Sequence, residues 1–215
     1  MEDAIPLLTK GAFYHAGQTS GSVQRIYAHY KVAKTLAKRL AEAASALHVG
    51  DPRLETTEVG PLIDKRELKR VDDWVLQAVN SGAKLLCGGK RISETCYAPT
   101  VLLDPPPDVK VSLGEVFGPV VCVYTCKELE SAIKEANKLP FTFQASVFTN
   151  NLDTALTCIH ELDATSVMVN DHTAFRVDWM PFGGRKQAGI GVSGIPYTMR
   201  EMTTEKLMVF RSKVL

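Results

Sequence analysis

Ser20 is the side chain whose neighbours make it a candidate nucleophile: it closes Gly17-Gln18-Thr19-Ser20, with His15 five residues before it and Arg25 five after. A serine hydroxyl attacks a carbonyl carbon only when an adjacent base takes its proton. His15 is near in sequence, but no carboxylate is placed by the sequence to orient it. The segment is not a Gly-x-Ser-x-Gly elbow either, because Gly17 stands three residues before Ser20 rather than two. Ser20 therefore reads as a nucleophile position without its base, or as a turn serine whose hydroxyl bonds the backbone.

Two later clusters carry polar or aromatic groups at suggestive places. In Glu115-Val116-Phe117-Gly118-Pro119, Glu115 is either a solvated charge or an acceptor, and Phe117 is either core or the wall of a site. The stretch from Asn170 to Gly184 holds His172, Phe175 and Arg176, then Pro181-Phe182-Gly183-Gly184. Asn170 suits tying down a loop, Gly183 and Gly184 suit turns, and Arg176 is either a surface cation or a receiver of an anion. The five histidines lack ligand spacing, so no metal site is expected.

Composition narrows the function classes. Twenty-five basic and 24 acidic residues give a formal charge of +1, with no run of like charges, so nucleic acid is not an expected partner. The five cysteines form no Cys-x-x-Cys pair and are odd in number, as expected for packed, reduced thiols of a cytoplasmic protein. Met1 is followed by Glu2 and Asp3, unlike a signal peptide, and no apolar run approaches the ~20 residues of a membrane span.

The elements that must position these residues alternate. Helical spacing of Val32, Leu36, Leu40, Ala44 and Leu47 predicts a helix over 32–47, stopped at Gly50-Asp51-Pro52. A second helix is predicted over 64–81, with Leu68, Val71, Val75 and Val79 on its apolar stripe and Gly82 after its end. Strands are predicted at 84–87, 100–103, 120–126, 145–148 and 167–170, and further helices at 128–139 and 152–162. The fold class is α/β, a mostly parallel sheet with flanking helices. Residues 195–203 read as a short helix and 205–211 as a strand with apolar residues on both faces. The division expected is 1–194 as one domain and 195–215 as a tail with an oligomerisation strand.

Four separated motifs in order give a family resemblance covering nearly the whole chain. Gly17-Gln18-x-Ser20 with Arg25, Glu58-Val59-Gly60-Pro61-Leu62, Glu115-x-Phe117-Gly118-Pro119, and Asn170 followed by Pro181-Phe182-Gly183-Gly184 resemble the aldehyde dehydrogenase superfamily, catalytic part. The resemblance implies that Ser20 stands where the family has its nucleophilic cysteine, and that Glu115 and Phe117 meet the nicotinamide ribose and ring. It implies that His172, Phe175 and Arg176 lie at the substrate pocket, and that Gly17, Gln18, Asn170, Gly183 and Gly184 shape loops. The sequence departs from the family where His15 replaces an asparagine and Gly114 an acid.

The function implied is NAD(P)-dependent oxidation of an aldehyde to a carboxylic acid. A cofactor domain, which in the family precedes this part, would be needed. The chain alone is expected to bind neither NAD nor NADP and to be inactive. The expected partners are a second copy in a homodimer and, if the gene is split, a separate cofactor-domain chain. Two alternatives stand beside this reading: a non-catalytic assembly module that keeps the fold, and a weak Ser20-dependent esterase.

Overall fold

The computed structural model describes residues 1–214. In chain order the elements are α1 (Ala4–Phe13), β1 (Arg25–His29), α2 (Ala33–Ser45), α3 (Lys65–Asn80), β2 (Lys84–Cys87), β3 (Thr100–Leu103), α4 (Lys110–Leu113) and β4 (Val120–Cys126). There follow α5 (Leu129–Asn137), β5 (Phe141–Thr142), β6 (Gln144–Val147), α6 (Leu152–Glu161), β7 (Ser166–Val169), β8 (Arg185–Lys186) and α7 (Ile195–Glu201).

The main sheet runs β1-β4-β3-β2. Strand β4 pairs in parallel with both β1 and β3, while β2 adds antiparallel to β3. All of β3 and the first four residues of β4 are buried, which is why both read as unbroken apolar runs rather than alternating ones. Two smaller pairs, β6 parallel to β7 and β5 antiparallel to β8, lie beyond it. The α/β class with flanking helices holds.

Helix α3 starts where Asp64 accepts the backbone N–H groups of Arg66 and Glu67 at 2.8 and 2.9 Å, a side-chain cap for otherwise orphaned donors. Its buried stripe is Leu68, Val71, Val75 and Ala78. Helix α2 buries a face that shares Leu40 and Ala44 with the expected stripe but is rotated toward its alanines. Ala33, Ala37, Leu40, Ala41 and Ala44 face inward, while Val32 is exposed and Leu36 and Leu47 are half-buried. The alanines let α2 lie close against α1 and β3, so small size decides the face there.

The C-terminal strand is not formed. Residues 204–211 adopt no regular structure, and Leu207, Met208, Val209 and Phe210 are 72–87% exposed. The apolar pattern is real, but a strand exists only where a neighbour completes its ladder, and none lies beside it.

Candidate active-site cleft

The segment carrying Ser20 leaves α1 through a tight turn in which His15 (φ 51°), Ala16 (φ 54°) and Gly17 (φ 70°) are all left-handed. Gly17 is required twice over. Its backbone angle is one that side chains resist, and a Cβ there would overlap the carbonyl of Gly118. Gly118 in turn lies on Val71 of α3, where an added Cβ would come within 2.7 Å of a methyl group. Two glycines thus let the Ser20 loop stack on the 115–120 turn, and that turn on α3.

Amide side chains hold the stack. Gln18 donates to the Pro61 carbonyl at 3.1 Å and accepts the Ile63 N–H at 2.9 Å, fixing the loop to the segment before α3. Gln24 donates to the Gly114 carbonyl at 2.6 Å and accepts the Val116 N–H at 3.2 Å, gripping both sides of Glu115. From below, Arg70 donates to the Val116 carbonyl at 2.6 Å while its guanidinium lies 4.7 Å over the Trp74 ring.

The outcome is a narrow cleft lined by Gly17, Thr19, Ser20, Ser22, Gln24, Glu115, Val116, Phe117, Gly118 and Val120. Ser20 shares it with Glu115 and Phe117, which lie more than ninety residues further along the chain. Its free volume is about 20 Å³, room for roughly one water. This is one wall of a site rather than an enclosed pocket.

Within the cleft the chemistry is uneven. Ser20 is exposed and its hydroxyl makes no hydrogen bond among the described residues; the backbone-bonded turn serine is Ser22, which reaches the Gly11 and Ala12 carbonyls. No histidine bonds Ser20, and the His15 ring packs edge-on against Tyr14 at 4.7 Å. Glu115 is exposed with no ion-pair partner among the described residues, and Phe117, held at φ 45°, keeps 39% of its surface open. The Thr19 hydroxyl is buried without a partner among the described residues.

The second cluster lies against the back of the same loop. Asn170, left-handed at φ 58°, closes a two-way bond with the backbone of Thr149 at 2.8 and 2.9 Å. His172 is buried under Gly11 and accepts the Ala174 N–H at 3.1 Å, so it braces the loop from inside rather than facing the cleft. Burial lowers its pKa from the usual histidine value, partly offset by Asp171. Thr173 donates to the Gly21 carbonyl at 2.7 Å, and Phe175 and Arg176 are exposed. Gly183 and Gly184 have ordinary backbone angles, and Gly184 admits the backbone of Ala188 where a Cβ would overlap it.

Burial disfavours the thiolate form at four of the five cysteines. Burial raises the pKa values of Cys87, Cys126 and Cys158, and pushes Cys122 up to about 12. Among the described residues no group of three or more His, Cys, Asp or Glu is gathered to hold a metal ion.

Gln24 and Arg70, which hold Glu115 and Phe117 in place, were not singled out by sequence reasoning. A side-chain clamp on a distant carbonyl leaves no spacing signature.

Residues 1–208 match the aldehyde dehydrogenase family, and the chain belongs to it. The 3-sulfolactaldehyde dehydrogenase of Priestia aryabhattai is 40% identical over 209 residues, 97% of this chain and 44% of that protein. The crystal structure of aldehyde dehydrogenase 21 from Physcomitrella patens in complex with the reaction product succinate superposes with a TM-score of 0.94 at 35% identity, covering 98% of this chain and 44% of that one. Glyceraldehyde-3-phosphate dehydrogenase from Methanocaldococcus jannaschii, complexed with NADP, superposes at 0.89 with 36% identity, covering 94% and 43%. The chain thus spans less than half the length of these relatives.

Proposed function

We propose that this chain is the catalytic portion of an NAD(P)-dependent dehydrogenase that oxidises a short aldehyde to its carboxylic acid. In that reading Ser20 occupies the place of the nucleophilic cysteine. A nicotinamide-binding portion comes from a longer form of the polypeptide or from another chain. The observation that carries the reading is the shared cleft of Ser20, Glu115 and Phe117, stacked through Gly17 and Gly118. NAD(P) would serve as hydride acceptor. The residues present suit it: the unpaired Glu115 carboxylate can accept from ribose hydroxyls, and the open face of Phe117 can pack on a flat ring. The molecules named for the three relatives are short, oxygen-rich carbon chains, which supports a substrate of similar size.

With a hydroxyl at position 20 and no base bonded to it, the 215-residue chain by itself should not reduce NAD or NADP with any aldehyde. Growth of reduced-nicotinamide absorbance above that of a Ser20→Ala control would refute this. The same missing base argues against a Ser20-dependent esterase.

The site itself is tested by Ser20→Cys. If the loop is built to favour a thiolate, the introduced thiol should ionise below the free value of about 8.5 and alkylate about tenfold faster than a cysteine in an unstructured peptide. Alkylation rates against pH, resolved by peptide mapping, give the answer. A thiol that labels no faster than the peptide sinks the catalytic reading. It would favour the alternative of a fold kept for assembly, for which the exposed 207–210 segment is the supporting observation.

A further inference from the structure

We propose that the groove between α3 and α4 is a second small-molecule site, one that takes a nucleoside phosphate ending in a free phosphate group, such as ADP. It lies outside the Ser20 cleft and does not depend on the catalytic reading.

Helical spacing builds the groove. Arg66, Lys69, Arg70, Asp73 and Trp74 project from one side of α3, and Lys110 closes it from the start of α4. Gln77, one turn beyond Trp74, accepts the Lys110 N–H at 3.2 Å and so fixes the two elements against each other. The groove is open along one side and holds about 260 Å³, against about 20 Å³ for the cleft at Ser20. That is near the ~300 Å³ at which small-molecule sites begin.

Its rim is cationic. Arg66, Lys69, Arg70 and Lys110 face a single lining carboxylate, Asp73, which Lys69 engages at 2.5 Å. Arg66 pairs with Asp64 at 2.8 Å and Arg70 with Glu67 at 2.7 Å, and solvent-facing pairs of this kind hold weakly. Lys110 pairs with no carboxylate among the described residues. A terminal phosphate carries up to two charges on three acceptor oxygens, so it can meet cations of α3 and of α4 together.

Its floor is apolar. Trp74 is half-buried with the Arg70 guanidinium 4.7 Å over its ring, and the alkyl stems of the lysines and arginines form the other walls. A flat base suits that surface, whereas a bare oxyanion leaves it unused. Gly114 shapes the same place. It stands where the family pattern has an acid, and a Cβ there would come within 2.8 Å of the Trp74 ring. The glycine therefore lets the ring lie against the backbone and keeps a carboxylate away from the cations. Arg70 also joins the groove to the cleft. The guanidinium that covers Trp74 donates to the Val116 carbonyl at 2.6 Å, so a ligand here touches the side chain that holds the 115–120 turn.

The chain's two tryptophans, Trp74 and Trp179, provide the readout, because Trp179 is 70% exposed and its replacement by Phe leaves fluorescence to Trp74. In the full 215-residue chain with Trp179→Phe, ADP should quench that emission. Its affinity should exceed that of adenosine or pyrophosphate about tenfold, and about 0.5 M salt should weaken it about fivefold. Lys110→Gln should weaken ADP about fivefold as well, and Gly114→Asp should abolish binding. Lys110 is exposed, so its variant decides the matter should the Gly114 variant not fold. Adenosine binding as tightly as ADP would make this a site for the base alone, and pyrophosphate doing so a site for bare oxyanions; either result overturns the proposal. So does an ADP affinity unchanged by Lys110→Gln, or a Trp74 signal that stays flat to ~5 mM ADP.

Discussion

Single side chains decide how well this cleft is held. Ser20, Glu115 and Phe117 were legible in the sequence because they sit in short motifs. Gln24 was not, because its partners lie about ninety residues away and nothing in its own neighbourhood marks it. Yet it makes two of the bonds that flank Glu115. Gln24→Leu should leave the Gly114 carbonyl and Val116 N–H without that partner at a cost of about 1–3 kcal/mol, read as a lower urea midpoint at unchanged m-value. An unchanged midpoint would show that the turn stands on Arg70 alone. His172 gives a pH signature. Its folded-state pKa is held below the ordinary 6.5 by burial, so the unfolded chain binds its proton first as pH falls. The stability it contributes is complete above 6.5 and is lost as pH drops from there through the folded value. Urea midpoints between pH 5 and 7.5 should fall on the acid side, and His172→Gln should flatten that slope. An equal slope in both proteins would assign the acid sensitivity elsewhere.

At the level of elements, periodicity did most of the work. Strands β2, β3 and β4 lie where unbroken apolar runs and their stops place them, and α3 where a cap and a 3.6-residue stripe agree. Helix α1 and strand β1 escaped the sequence reading. Pro6 and Gly11 weaken the helical pattern of α1, although a proline in the first turn is tolerated, and the five residues of β1 include Arg25 and His29. The inward face of α2 was read only in part: Leu40 and Ala44 lie on it as expected, but Ala33, Ala37 and Ala41 also face inward, alanines whose closeness to α1 only the packed structure reveals. The turns between elements carry the sharper test. Gly82 (φ 110°) has open space around it, so Gly82→Ala should cost only the conformational penalty of about 1–2 kcal/mol. Gly17→Ala adds an overlap with the Gly118 carbonyl and should cost more, while also prising the Ser20 loop from the 115–120 turn. Thermal unfolding of the two variants side by side measures the difference. Equal losses would mean that the Gly17–Gly118 contact yields freely and does not fix the cleft.

For the molecule as a whole, the unmet requirement is cover for apolar surface. Leu207, Met208, Val209 and Phe210 run consecutively in the open, and α6 exposes Leu152, Leu156 and Ile159 along one side. Scattered apolar residues on a surface need no explanation, but four in succession on an unpaired segment present both side chains and ladder groups to any edge that can accept them. The tail does not fold back on its own domain, so its own chain does not meet that need. We expect the 215-residue chain to self-associate, as a symmetric dimer in which residues 205–211 become a strand at or near the contact, because a repeated patch on two identical copies closes most simply about a twofold axis. Pairing would supply the N–H and C=O partners whose lack keeps 205–211 from forming a strand in the single chain. Sedimentation velocity on the full chain and on one ending at Met202 separates the outcomes. The full chain should sediment as a dimer at micromolar concentration and the shortened one as a monomer, with hydrogen exchange in the tail slowed only in the dimer. A full chain that stays monomeric at high micromolar concentration, unaffected by the shortening, would rule out self-association and leave the tail to a nicotinamide-binding portion as the remaining partner able to cover it.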